Sequence, residues 1–201
     1  MNLKPLKRKF FARNTEQVAR ELLGKIIVRQ INKQKIMARI TEVEMYRGEN
    51  DLACHASRGR TPRTETLYGE PGHAYVYLIY GMYYCFNIVT EVKDFPSAVL
   101  LRACEPVSKG FDELSLVGPG RLCRELKITK ELHNEDISKS KKLWVADDDF
   151  VVTKKEILSS PRIGVDYARH CTSWPWRFYL KNSKAVSKLK TGSRIASDSR
   201  A

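Results

Sequence analysis

Apolar and polar residues alternate most regularly between Ile40 and Arg102. The runs Ile40-Thr-Glu-Val-Glu-Met-Tyr46, Tyr75-Val-Tyr-Leu-Ile-Tyr-Gly-Met-Tyr-Tyr-Cys-Phe-Asn87 and Ala98-Val-Leu-Leu-Arg102 have the two-residue period of strands. The pattern predicts strands over Lys25–Ile31 and Lys35–Tyr46, joined antiparallel by a turn at Asn32-Lys33. It predicts a hairpin of Tyr75–Tyr80 and Tyr83–Ile88 about a two-residue turn, Gly81-Met82, then a short strand over Ala98–Ala103. Upstream, Asn14 lies three residues before Gln17 and caps a helix over Thr15–Leu23, which Gly24 ends. Gly48, Asn50, Asp51, Gly59 and Pro62 break any period in Arg47–Tyr68, which reads as loop; Pro71-Gly72 is a turn and Lys93–Ser97 a polar loop.

Beyond Val107 the pattern changes. Gly118-Pro-Gly120 opens a basic helix over Arg121–Leu126, and a second helix is expected over Asn134–Val145 with Ile137, Leu143 and Trp144 inside. After an Asp147–Asp149 turn, strands are expected over Phe150–Thr153 and Trp176–Leu180, separated by a loop through Pro161 and Gly164. These elements give one α+β domain over residues 1–201, with a curved, largely antiparallel sheet and flanking helices. Residues 1–13 read as a basic arm and residues from about 185 as a frayed basic tail.

Charge sharpens this picture. Lys and Arg outnumber Asp and Glu by 36 to 23, a net charge of +13 that implies an anionic partner, nucleic acid above all. The five cysteines include no Cys-x-x-Cys pair, so the sequence offers neither a zinc ribbon nor a disulfide framework. No metal-ligand spacing, phosphate loop or dinucleotide fingerprint occurs, and no cofactor is expected. No apolar run reaches the length of a membrane span, and Met1–Phe10 lacks the apolar segment of a signal peptide. An intracellular monomer is expected: cytoplasmic or nucleoid-associated in a bacterium, nuclear in a eukaryote.

Candidate chemistry concentrates in the alternating region. Glu42, Glu44 and Tyr46 share one strand face, with Val43 and Met45 on the other. Two acids beside an aromatic ring suit a general base next to a stacking platform; an edge-strand carboxylate in solvent or in an ion pair is the competing reading. Tyr75 and Tyr77 share a face and are placed to oppose Tyr46 across a flat ring, or simply to pack the sheet. Tyr80 abuts the hairpin turn, as a wedge into a duplex or as cover for the turn. His55, in the arginine-bearing loop, is a ligand hydrogen-bonding group or a surface histidine, and Asn87, in an apolar run, reads a ligand edge or ties structure together. Arg102 ends an apolar strand and calls for a carboxylate or anion partner.

Taken together, these residues resemble the alkyladenine (3-methyladenine) DNA glycosylase family of the mammalian type, which also occurs in bacteria. The carriers are Thr41-Glu-Val-Glu-Met-Tyr-Arg-Gly48, His55, Arg58-Gly-Arg-Thr-Pro-Arg63, Pro71-Gly72, Tyr75-Val-Tyr-Leu-Ile-Tyr-Gly-Met82 and Asn87-Ile88. Leu100-Leu-Arg-Ala-Cys-Glu-Pro106, Gly118-Pro-Gly-Arg-Leu-Cys123 and Pro161-Arg-Ile-Gly-Val165 extend the likeness. Met45, Cys54, Thr64 and Leu67-Tyr68 depart from residues common in the family. The resemblance implies a metal-free, monofunctional base-excision repair enzyme. Its partner is double-stranded DNA carrying alkylated or deaminated purines (the 3-methyladenine, 7-methylguanine, hypoxanthine and ethenoadenine class). Matched by position, Glu44 is implied as the base that activates water and Arg102 as its catalytic neighbour. Tyr46, His55, Tyr77 and Asn87 are implied as the base pocket, and Tyr80 as the DNA wedge. Arg58, Arg60, Arg63 and Arg121 are candidate contacts to the DNA backbone. Between Thr41 and Arg102 the only lysine is Lys93, in a polar loop, so no amine is offered for a lyase reaction. The alternative is a non-catalytic module that binds damaged DNA or structured RNA; it explains the charge and the aromatics but leaves Glu44 without a role.

Overall fold

A computed structural model describes residues 3–188. Nine strands form one antiparallel sheet: β1 (Lys4–Pro5), β2 (Ile26–Ile31), β3 (Gln34–Arg47), β4 (Ala74–Ile79), β5 (Tyr83–Val89), β6 (Ser97–Pro106), β7 (Leu143–Asp147), β8 (Ile157–Ser160) and β9 (Arg177–Leu180). The order is β1-β7-β2-β3-β6-β5-β4. β9 also pairs with β3, beyond the point where β2 leaves it, and β8 pairs with β9. Three short helices, α1 (Arg8–Phe11), α2 (Thr15–Leu22) and α3 (Pro119–Glu125), complete an α+β fold. No helix of the described residues is long and apolar enough to cross a membrane.

The 14-residue β3 is the spine. Pairing with β6 shifts register between Ile40 and Val43, a bulge that re-aims the strand where its acids begin. Beyond it, Val43 and Met45 enter the main core with Phe11, Val18, Leu22, Phe86, Leu101 and Leu122, all at most 3% exposed. Glu42, Glu44 and Tyr46 turn the other way, as the alternation predicts. The α2 cap is also as expected: the Asn14 side chain accepts the Glu16 and Gln17 amides at 3.0 and 3.4 Å, and Gly24 takes φ +85°.

Several expectations need correction. The hairpin register pairs Ile79 with Tyr83, so its loop has three residues, Tyr80, Gly81 and Met82, rather than two. Asn134–Val145 is not a helix: turns occupy its polar half, and Leu143–Asp147 pairs with β2, which buries Leu143, Val145 and Ala146. Phe150–Thr153 is not a strand; Ile157–Ser160 takes that role because it can pair with β9. The amino-terminal segment is not a free arm. Lys4 and Pro5 pair with β7, Phe11 is fully buried, and Lys4, Arg8 and Arg13 engage Asp149, Asp136 and Glu21. Nor is the chain frayed at residue 185: Ala185 is fully buried and its carbonyl accepts the Thr41 hydroxyl at 2.5 Å, while the rest of the expected tail, residues 189–201, lies outside the described residues.

Candidate active site

The acids of β3 are fully buried, and that is possible only because cations come to meet them. Glu44 accepts three hydrogen bonds: from the Ile163 amide at 2.7 Å on Oε1, and from the Tyr46 hydroxyl at 2.8 Å and Arg102 Nη1 at 3.3 Å on Oε2. Glu42 accepts from Arg177 Nη1 and from the Ser187 amide, both at 2.8 Å, with Arg102 Nε 3.6 Å away. Asp51 grips Arg162 with both oxygens, at 2.6 and 2.7 Å. Three carboxylates thus face three guanidiniums, and the buried charges balance. Burial alone would lower the Arg102 pKa, but Glu44 and Glu42 outweigh it and hold the guanidinium charged.

Above this floor is a narrow cleft lined by Tyr46, Ala53, Cys54, His55, Leu67, Tyr75, Tyr77, Asn87 and Ala98. Its volume is about 20 Å³, room for about one water. The Tyr46 hydroxyl joins cleft to floor. Burial first, then the charge of Glu44, pushes this phenol well above its ordinary pKa, so it remains a donor. His55 packs edge-on to Tyr77 with centroids 4.6 Å apart, and its Nδ1 lies 2.8 Å from the Tyr75 hydroxyl. Burial, then Arg63 and Arg58, lower its pKa to about 4, so the imidazole is neutral at pH 7. Asn87 is buried and donates to the Tyr75 carbonyl at 3.1 Å.

The cleft therefore brings Tyr46, His55, Tyr77 and Asn87 together, with Glu44 one hydrogen bond behind them and Arg102 one further. Tyr80 stands apart. It is 82% exposed at the hairpin tip, beside Met82 at 65%, and adopts the left-handed φ of +52° that costs a non-glycine residue roughly 1 kcal/mol. A Cβ on Gly120 would lie 3.0 Å from Tyr83 Cβ, so the close approach of α3 to β5 favours glycine and sets exposed Arg121 near this hairpin. Arg58 and Arg63 are exposed on the rim near His55, and Arg63 lies 5.8 Å from the Tyr77 ring centre. Arg60 is exposed as well, but Glu65 and Asp94 already occupy it.

Sequence reasoning missed Asp51, Arg162, Arg177 and the Ile163 amide. Arg162 and Asp51 are separated by 111 residues and Arg177 and Glu42 by 135, so no local spacing links them. A faint signal existed in Pro161-Arg-Ile-Gly-Val165, which carried resemblance without a role. A wider concavity, about 990 Å³, lies between α2 and Phe150–Val152. Most of its charged groups are already paired, as in Arg20–Glu16 and Lys25–Asp147.

Comparison with known proteins gives the family. The family model described as methylpurine-DNA glycosylase matches residues 9–184. The chain is 49% identical over 199 residues to a Methanocella arvoryzae protein named "Putative 3-methyladenine DNA glycosylase", covering 93% of this chain and 98% of that one. Proteins of the same name from Desulfitobacterium hafniense and Legionella pneumophila are 45% and 44% identical, each over 92% of this chain and 99% or more of their own. The chain belongs to the methylpurine-DNA glycosylase family and is a DNA glycosylase.

Proposed function

We propose that this protein extrudes an alkylated purine from duplex DNA into the Tyr46–His55–Tyr77 cleft and hydrolyses its N-glycosidic bond with a water activated by Glu44. The observation that carries the reading is a buried, acceptor-only carboxylate tied through a tyrosine hydroxyl to an aromatic cleft. Glycosidic cleavage builds positive charge on the sugar, which Glu44 stabilises while it takes the proton of the attacking water. Arg102 fixes the carboxylate and keeps it from being a lone buried charge.

The cleft as it stands is too small for a purine. Binding must part the walls, with His55 and Tyr77 the pair that separates. Tyr80 fills the gap left in the stack, and Arg58, Arg63 and Arg121 meet phosphates along the rim; Arg60 contributes less because it is already paired. A base alkylated at N3 or N7 is cationic, stacks favourably on tyrosine faces and leaves without added proton. Neutral His55 is no proton donor at pH 7, so neutral lesions such as hypoxanthine leave more slowly.

Single-turnover cleavage of duplexes carrying one 7-methylguanine or one hypoxanthine tests the reading. Base release, with strand breaks only after alkali, supports it, and faster release of 7-methylguanine supports the charge argument. Binding without release from either duplex would return the protein to a damage-binding role.

A further inference from the structure

Arg162 sits behind the cleft rather than in it. Its guanidinium lies 4.7 Å from the Tyr46 ring centre on one side and 5.1 Å from that of Trp176 on the other. It does not line the cleft, so it backs the tyrosine face opposite the one a base would meet. The side chain is fully buried, pinned by Asp51 and by the Met45 carbonyl at 3.0 Å. Its Nε–H has no hydrogen-bond partner among the described residues, although an unmet buried donor is costly. The next residue supplies the amide that holds Glu44. One dipeptide therefore presents the positive end of a buried ion pair to the base platform and a fixed donor to the carboxylate.

We propose that Arg162 is a positioning residue that drives charge off the purine. The inference rests on the reading above, in which Tyr46 stacks on the extruded base. In an N-alkylated purine nucleotide the base is cationic before cleavage and neutral after it. When the bond between the purine nitrogen and C1′ breaks, its electron pair goes to the purine ring and the sugar is left positive. Water then bonds C1′ and its proton passes to Glu44. A guanidinium one ring thickness behind the base opposes the charge in the ground state, and that opposition vanishes as the base departs. Glu44 acts at the other end, where the charge arrives. Arg162 therefore weakens the binding of cationic purines and quickens their release, while a neutral purine feels little of it.

The test is the pair Arg162→Met and Asp51→Asn, which removes both charges and so avoids a lone buried ion. Single-turnover kinetics with 7-methylguanine duplex give the half-saturating enzyme concentration and the maximal rate. Both should fall, by roughly three- to tenfold, the range one cation–π contact supplies. Affinity for a hypoxanthine duplex should stay at the wild-type value, and Arg162→Lys, which keeps the charge, should retain wild-type half-saturation for both. Tighter binding with slower release is something a damaged fold cannot mimic. Half-saturation that is unchanged or raised, or an equal shift for both duplexes, overturns the proposal. Should the methionine pair fail to fold, Arg162→Gln with Asp51→Asn gives the same readout. A wild-type protein that releases no base would instead overturn the underlying reading.

Discussion

The floor beneath the cleft and the tip of the β4–β5 hairpin solve opposite problems with different residues. The floor buries three acids and three arginines, and each charge is met by a partner drawn from a distant part of the chain. The tip exposes Tyr80 and Met82 on a three-residue loop with little around them. The difference teaches where each kind of function belongs. Chemistry on a developing charge needs groups that do not reorganise, and low dielectric with full pairing supplies that. The wedge role proposed for Tyr80 asks a side chain to leave its own molecule for another, so its interactions at home have to be few. The floor should be intolerant of change in both stability and rate, and the tip should be tolerant in stability alone.

The sharpest way to break the comparison is at Glu44. Glu44→Gln keeps the shape but removes the base proposed above, and single-turnover release should fall by about 10²- to 10⁴-fold. Lesion-DNA affinity should persist; undiminished release would mean that Glu44 is only structural. Next comes Arg177→Ala, which strips Glu42 of its 2.8 Å partner. Breaking a buried pair from one side costs about 3–5 kcal/mol, read as the loss in urea-unfolding free energy. A loss under about 1 kcal/mol would show that the floor is far wetter than its burial indicates.

A smaller effect is expected at His55. Its folded pKa of about 4 lies below the ordinary value of 6.5. The unfolded chain therefore binds the proton first as pH falls. Stability is full above about pH 6.5 and is lost progressively toward pH 4. Allowing for partial solvent screening, the wild type should lose about 1 kcal/mol more than His55→Asn between pH 7 and pH 5. An NMR titration placing His55 near 6.5 would remove the basis for this. Least of all, Tyr80→Ala should leave stability within about 0.5 kcal/mol. It should weaken lesion-duplex binding about tenfold, since an aromatic base stack is worth about 1–3 kcal/mol. Unchanged affinity would make Tyr80 a mere cover for the loop.

The two regions were not equally legible in the sequence. The hairpin strands, β3, β6 and the α2 cap follow from local rules, alternation and a capping side chain, although the hairpin's loop is one residue longer than turn chemistry indicates. The parity of Glu42, Glu44 and Tyr46 survives in three dimensions because side-chain direction in a strand is set by its neighbours alone. What local rules could not reach is anything decided by a remote partner. Leu143–Asp147 satisfies a helical pattern about as well as a strand, and only the open edge of β2 selects the strand. Phe150–Thr153 has the propensity of a strand but nothing to pair with, whereas Ile157–Ser160 meets β9. Arg162 and Arg177 look like surface arginines until Asp51 and Glu42 are placed beside them.

The contact of β9 with β3 has a consequence for biosynthesis. Residues 42–44 leave the ribosome long before Arg162, Arg177 and Ser187, which neutralise and bond the acids of the floor. Until then a nascent chain holds Glu42 without Arg177 and Asp51 without Arg162, the partners that offset the cost of their burial. At translation speeds of roughly 5–20 residues per second, that wait lasts on the order of ten seconds. A chain cut short before Pro161 therefore keeps every residue that lines the cleft but lacks Arg162 and Arg177, two of the three cations beneath it.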